Sequence, residues 1–202
     1  MKYLFVFLLV GLTSIIFGQN RYHIDKTTFA LKDSIVYLKS DMTPINGVLY
    51  CEFGENGMCV NGWRNGLHRV WYENGQLQYE ANFKDGKVDG LYRDWYEDGQ
   101  LQYETNCKDG YLDGLNRGWY ENGQLYFTKN YKYGMKHGIM RHWFRNGQLM
   151  VEYNYKDGKS NGICRNWHEN GQLWFEMMYK DDKRTSSKCW DEDGNVDKCP
   201  ED

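Results

Sequence analysis

Residues 66–89 read GLHRVWYENGQLQYEANFKDGKVD, and close variants of this 24-residue unit follow one another in five copies up to residue 185. In each copy, an Asn-Gly or Asp-Gly dipeptide separates a Trp-containing segment from a Leu-containing segment. Such dipeptides between aromatic and apolar runs are the strongest short signal for a β-hairpin. The unit therefore predicts two strands per copy and a fold built by repetition.

Stacked copies of this hairpin predict an all-β protein with one elongated antiparallel sheet. Ten repeat strands at roughly 4.8 Å spacing would extend about 48 Å. The composition agrees, since aromatic residues make up 17% of the chain and glycine supplies 22 residues. Aromatic residues favour strands and glycines favour tight turns, so we expect no long helix.

The register of each hairpin depends on the loop length. A two-residue loop at Asn74-Gly75 would place Arg69 opposite Glu80, whereas a three-residue loop that includes Glu73 would place Arg69 opposite Tyr79. The longer loop also pairs Trp71 with Leu77. It collects on one face Leu67, Trp71, Leu77, Tyr79 and Phe83. It leaves on the other face Gln78, Glu80, Asn82 and Lys84. Because a one-residue slip moves every side chain to the other face, we predict the longer loop, with the arginines among the aromatic residues.

Two columns of this sheet are candidate binding residues. Tryptophan, tyrosine and arginine dominate the energetics of protein interfaces, and a guanidinium can stack on an aromatic ring. The arginine column is Arg69, Arg93, Arg117, Arg141 and Arg165. The tryptophan column is Trp71, Trp95, Trp119, Trp143 and Trp167. We predict that these columns bind an unidentified protein partner.

The rest of the chain is organised around the repeats. Lys2 and the apolar run 4–17 are typical of a secretory signal peptide, and 14 residues of helix cover only about 21 Å of a roughly 30 Å bilayer core. We therefore expect export to the periplasm, the cell surface or the medium. The predicted segments are 1–18 (signal peptide), 19–46 (N-terminal cap), 47–65 (degenerate repeat), 66–185 (five repeats) and 186–202 (C-terminal half repeat).

Export raises the question of disulfides, because oxidising compartments allow them to persist. Cys51 and Cys59 flank one turn-like segment, and Cys189 and Cys199 flank another. Each pair could close into a disulfide or remain as two thiols, since spacing alone does not fix connectivity.

The sequence offers little chemistry of other kinds. The formal net charge of −3 provides no field that would attract nucleic acid. The histidines fall in different repeat columns, and none has a Cys or Asp at the spacing of a metal site or a catalytic triad. We therefore expect no enzyme activity, no cofactor and no metal. An uncapped edge strand would allow two copies to pair as a dimer.

The segment from Tyr79 to Gly90 resembles the MORN (membrane occupation and recognition nexus) pattern Tyr-x-Gly-x-Phe-x-x-Gly-x-x-x-Gly. The added Trp-Tyr-Glu-Asn-Gly-Gln-Leu resembles a bacterial variant often described as the antitoxin component of a toxin–antitoxin system. This resemblance implies an elongated sheet with a binding or scaffolding role and no catalysis. Ala81 replaces the mid-strand glycine, which favours a protein over a membrane-lipid partner. The alternative is a cell-wall or carbohydrate-binding module that uses its aromatic faces.

Overall fold

The computed structural model describes residues 20–23, 29–32 and 35–199. The predicted signal peptide lies outside the described residues. Within them there is no helix, and the prediction of an all-β repeat fold is confirmed. The strands before the repeats are β1 (Arg21–His23), β2 (Phe29–Lys32), β3 (Ile35–Leu38), β4 (Gly47–Cys51) and β5 (Gly54–Val60).

The repeat strands run from turn to turn, and several are divided by a short irregularity. The first four are β6 (Trp63–Trp71), β7 (Leu77–Lys84), β8 (Lys87–Trp95) and β9 (Leu101–Lys108). The next six are β10 (Tyr111–Leu112), β11 (Gly114–Trp119), β12 (Leu125–Lys132), β13 (Met135–Lys136), β14 (Gly138–Trp143) and β15 (Leu149–Lys156). The last five are β16 (Lys159–Ser160), β17 (Gly162–Trp167), β18 (Leu173–Lys180), β19 (Lys183–Trp190) and β20 (Val196–Asp197).

Eighteen of these strands form one open sheet, and β2 and β3 form a separate two-stranded hairpin. From β4 to β20 the pairing is antiparallel and follows the chain order, as predicted. One pairing departs from the prediction, because β1 lies parallel to β4 at the first edge. The β2–β3 hairpin is part of the connection between these two parallel strands.

A small apolar core closes the N-terminal end of the sheet. Its buried members are Val36, Ile45, Leu49 and Cys59, with Tyr22 and Leu38 packed against them. Backbone hydrogen bonds tie the same segment together, since Val36 donates to Gly62 and Gly62 donates to Ile45. The cap thereby covers apolar surface that the first repeat would otherwise expose, as terminal units of repeat proteins do.

The turn between copies is a two-residue loop. Asp85 and Gly86 both have positive φ, at 48° and 78°, and connect the paired residues Lys84 and Lys87. Two consecutive left-handed residues define the type I′ turn, whose twist matches that of the flanking strands. In the third copy the first of these positions is Tyr133, also with a φ of 50°.

The predicted register is correct at one end of each hairpin and wrong at the other. Trp71 pairs with Leu77 as expected, but Arg69 pairs with Glu80 and not with Tyr79. The cause is a β-bulge, because Gln78 has no partner and absorbs one residue of the strand. The same shift occurs in all five hairpins. Glu80 and Asn82 therefore join the arginines on one face, and Tyr79 and Phe83 move to the other.

Of the two cysteine pairs, one is bonded. Cys189 and Cys199 form a disulfide with a Cα–Cα distance of 5.2 Å. Cys51 and Cys59 are free thiols, so of the two alternatives left open for this pair the structure has the unbonded one. The β4–β5 turn lies at residues 52–53, which places Cys51 opposite Gly54 and Cys59 opposite Gly47. The two side chains lie at opposite ends of the hairpin and cannot reach each other.

Candidate functional site

The bulged register gives the sheet two chemically different faces. The arginine face carries Arg69, Trp71, Leu77 and Glu80 with their equivalents in the other copies. The tyrosine face carries Tyr79, Ala81 and Phe83 with theirs. Both predicted binding columns, arginine and tryptophan, thus lie on one face, but the tyrosines and phenylalanines predicted to accompany them do not.

Along the arginine face, the guanidinium and carboxylate groups form a ladder of ion pairs. Glu80 contacts Arg69 of its own copy at 3.4 Å and Arg93 of the next copy at 3.6 Å. Glu104 likewise lies 2.8 Å from Arg93 and 3.6 Å from Arg117. The hydrogen bond that Arg93 donates to Glu104 raises the pKa of Arg93 above its ordinary value. Each glutamate thus bridges two arginines from consecutive copies.

Nearer the C-terminus the ladder has a second section with the same geometry. Glu152 lies 2.7 Å from Arg141 and 3.8 Å from Arg165, and Glu176 lies 2.7 Å from Arg165. The arginine side chains remain 34–44% exposed, whereas the bridging glutamates Glu80, Glu104 and Glu152 are 17–20% exposed. The ladder therefore presents its positive groups to solvent more than its negative groups.

Between the two sections, the third copy interrupts the ladder. Thr128 occupies the position of the bridging glutamate and pairs with Arg117 on one side and Arg141 on the other. Among the described residues, Arg117 contacts only Glu104 and Arg141 contacts only Glu152, whereas Arg93 and Arg165 each contact two carboxylates. Two half-exposed guanidinium groups therefore flank a position that lacks a negative charge.

The predicted stacking of the arginine column on aromatic rings is not what the structure shows. Within the described ranges, the guanidinium groups that lie over rings belong to Arg21, Arg64 and Arg145. The column arginines use their donors on carboxylates instead, because the bulge places Glu80 and its equivalents directly opposite them.

Hydrogen bonds to the backbone of the tryptophan column connect consecutive copies. The hydroxyl of Tyr72 donates to the backbone carbonyl of Trp95 at 2.7 Å, and the same bond links Tyr96 to Trp119 and Tyr120 to Trp143. The tryptophan side chains are half-buried. These tyrosine side chains therefore join consecutive copies through the tryptophan backbone, while part of each indole remains exposed.

The tyrosine face holds the most protected side chains of the repeats. Those less than 9% exposed are His68, Ala81, Thr105, Asn116, Cys164 and Met177. Three of them, Ala81, Thr105 and Met177, occupy the position of the mid-strand glycine in the MORN pattern. Side chains thus fill the centre of this face, and aromatic rings on both sides cover them. Burial lowers the pKa of His68 accordingly, since its charged form is poorly solvated there.

A cleft of about 560 Å³ opens in the second and third copies. It exists because Gly118 replaces the larger residues Val70, Asp94, His142 and Asn166 found at this position in the other copies. The rings of Tyr103 and Phe127 flank Gly118 from the neighbouring strands, with centroids 6.2 Å apart. A Cβ atom on Gly118 would lie only 2.4 Å from the Phe127 ring, so any side chain here would displace that ring.

One carboxylate lines this cleft. Asp94 lies beside Tyr103 on the adjacent strand and accepts a hydrogen bond of 2.8 Å from the Tyr92 hydroxyl. Burial raises the pKa of Asp94 above its ordinary value, while the bond from Tyr92 opposes this change. Burial and the same hydrogen bond raise the pKa of Tyr92. The carboxylate therefore lacks part of its usual hydration among aromatic rings.

The sequence analysis did not identify Thr128, Gly118 or Asp94, although the signal was present. Thr128 departs from a column of glutamates, whereas Asp94 and Gly118 stand at one position that varies from copy to copy. The predicted binding residues recur in every copy, whereas these three residues do not recur.

Comparison with known proteins agrees with the observed period. Residues 64–85, 88–109, 112–133, 136–157 and 160–181 match the family described as MORN repeat variant. These segments cover more than half of the chain. It belongs to the MORN repeat family. MORN repeats are generally scaffolds that bind proteins or membranes. A search of the curated proteins finds no match.

The described part of this MORN protein contains no group of three or more metal-ligating side chains and no helix that could span a membrane.

Proposed function

We propose that this chain is an exported MORN scaffold whose arginine face binds a protein partner. The observation that carries this proposal is the gap at Thr128, where Arg117 and Arg141 lie on either side of a missing carboxylate. In the other four copies a glutamate fills this position. An aspartate or glutamate of the partner would complete the ladder, and the half-buried tryptophans beside it would supply apolar contact area.

The Cys189–Cys199 disulfide supports the exported part of the proposal, since disulfides persist mainly in oxidising compartments. Outside the cytoplasm, an antitoxin-like role would take the form of immunity against a toxin that acts at the cell surface.

The test is affinity capture from envelope extract with immobilised residues 19–202. Arg141→Glu should abolish capture, because it places repulsive charge at the gap. Arg145→Glu is the matched control, since Glu73, Glu97, Glu121 and Glu169 occupy its column. Equal capture of the same protein by both variants would place the interface elsewhere.

A second variant separates binding from folding. In Thr128→Glu the chain's own carboxylate would pair with Arg117 and Arg141. We therefore expect this variant to lose the partner while the folded chain becomes more stable. Release of the partner from the wild-type chain at about 0.5 M salt would indicate that the interface depends on charge.

Carbohydrate binding is the second candidate, favoured by the ring-lined cleft on the tyrosine face. Retention of wall glycans but of no protein by the immobilised chain would support it and contradict the first proposal.

A further inference from the structure

The cleft beside Gly118 has features of a binding site that the arginine face does not explain. It lies on the tyrosine face, and it forms where Gly118 leaves space that larger residues occupy in the other copies. Concave, mostly apolar sites with a few polar groups are where small ligands bind. Gly118 is the smallest of the five residues at its repeat position, where the other copies hold Val70, Asp94, His142 and Asn166.

The charge in this cleft indicates what kind of ligand fits it. In the part of the chain that the structure describes, Asp94 forms no ion pair, and its one side-chain hydrogen bond comes from Tyr92. A half-buried carboxylate without a cation costs free energy, and a positively charged ligand would relieve that cost. The faces of tyrosine rings attract cations for the same electrostatic reason.

Side-chain cations of the protein already use other rings of this region. The Lys129 ammonium lies 4.2 Å from the centre of the Phe127 ring, and the Arg145 guanidinium lies 5.1 Å from that of Tyr120. Among the described residues, no such cation lies over Tyr92 or Tyr103. Both rings line the cleft beside Asp94, where they can contribute to binding a cation together with its carboxylate.

We propose that the cleft binds a small organic ammonium cation, held by the Asp94 carboxylate and the rings of Tyr92 and Tyr103. A neutral sugar would use the rings but would leave the carboxylate without a counter-charge. The ammonium group would lie at the Asp94 end, and the apolar remainder of the ligand would extend across Gly118 toward Phe127. This site is independent of the arginine face and does not require the proposed protein partner.

The experiment compares two probes of nearly equal shape, choline and 3,3-dimethyl-1-butanol, by calorimetric titration of residues 19–202. Choline should bind about tenfold more tightly, because only it carries the positive charge. Equal affinity for both probes, or no saturable choline binding, would overturn the proposal. Saturable binding of a wall glycan in place of choline would also overturn it and identify a carbohydrate site.

Two variants locate the site. Asp94→Asn keeps an oxygen for the Tyr92 hydrogen bond but removes the charge, so choline affinity should fall about tenfold. Asp98→Asn is the matched control, because the other four copies have asparagine at this position, and it should leave affinity unchanged. Gly118→Ala should displace Phe127 and reduce binding. An Asp94→Asn variant that melts like the wild type and binds choline equally well would contradict the assignment.

Discussion

Replacing Thr128 with glutamate should stabilise the fold by completing the ladder of the arginine face. The introduced carboxylate would lie between Arg117 and Arg141, as Glu80 lies between Arg69 and Arg93. Each exposed ion pair contributes about 0.2–1 kcal/mol, and these arginines are 40–44% exposed, so two new pairs give about 1 kcal/mol. The lower strand propensity of glutamate offsets a few tenths of this.

A net gain of about 0.7 kcal/mol should raise the melting temperature by about 2 °C in a chain of this size. The assay is thermal unfolding at low salt and at about 1 M NaCl, where the Debye length falls to about 3 Å and the gain should largely disappear. Thr128→Gln is the control for size without charge. The reasoning is refuted if the glutamate variant is no more stable than the glutamine variant at low salt, or if its advantage persists undiminished at high salt.

Three further predictions concern titration, strain and thiols. Burial, with Lys129 and Lys136 nearby, lowers the pKa of His142 from 6.5 to about 4. The unfolded chain therefore binds more protons in this range, and stability should fall as the pH drops from about 6.5 to 4. His142→Phe should reduce that slope of melting temperature against pH, and an unchanged slope would contradict the assignment. Tyr133 has a φ of 50°, which asparagine adopts more readily, so Tyr133→Asn should add about 1 kcal/mol to the unfolding free energy measured in urea. A thiol assay on denatured protein should count four thiols before reduction and six after it, whereas two before reduction would indicate a second disulfide.

The register shows how far sequence reasoning could go. The pairing of Trp71 with Leu77 follows from the length of the Asn-Gly loop, which is a local property. The bulge at Gln78 does not follow from the loop, because it is stabilised by the ion pairs of Glu80 with Arg69 and with Arg93 of the next copy. Grouping the apolar side chains on one face favours the register that pairs Arg69 with Tyr79. That criterion considers only the aromatic and apolar residues and ignores these ion pairs.

The cysteines show a similar division. Symmetric spacing around turn residues predicts two disulfides equally well. The β4–β5 turn lies two residues nearer the N-terminus than that symmetry requires, so Cys51 and Cys59 are separated along the hairpin. Near the C-terminus, β20 places Asp197 opposite Cys189, and Cys199 follows within reach.

By itself, the sequence determined the repeat of 24 residues, the two strands of each copy and their turns. These depend on local preferences, namely glycine and aspartate at positive φ and aromatic residues in extended chain. Only the tertiary structure decided which columns share a face and where the repetition opens a site. The ladder gap at Thr128 needs arginines from two copies, and the cleft at Gly118 needs rings from two neighbouring strands. Such contacts join residues of different strands, so they depend on how the strands pair and not on the local sequence around any one of them.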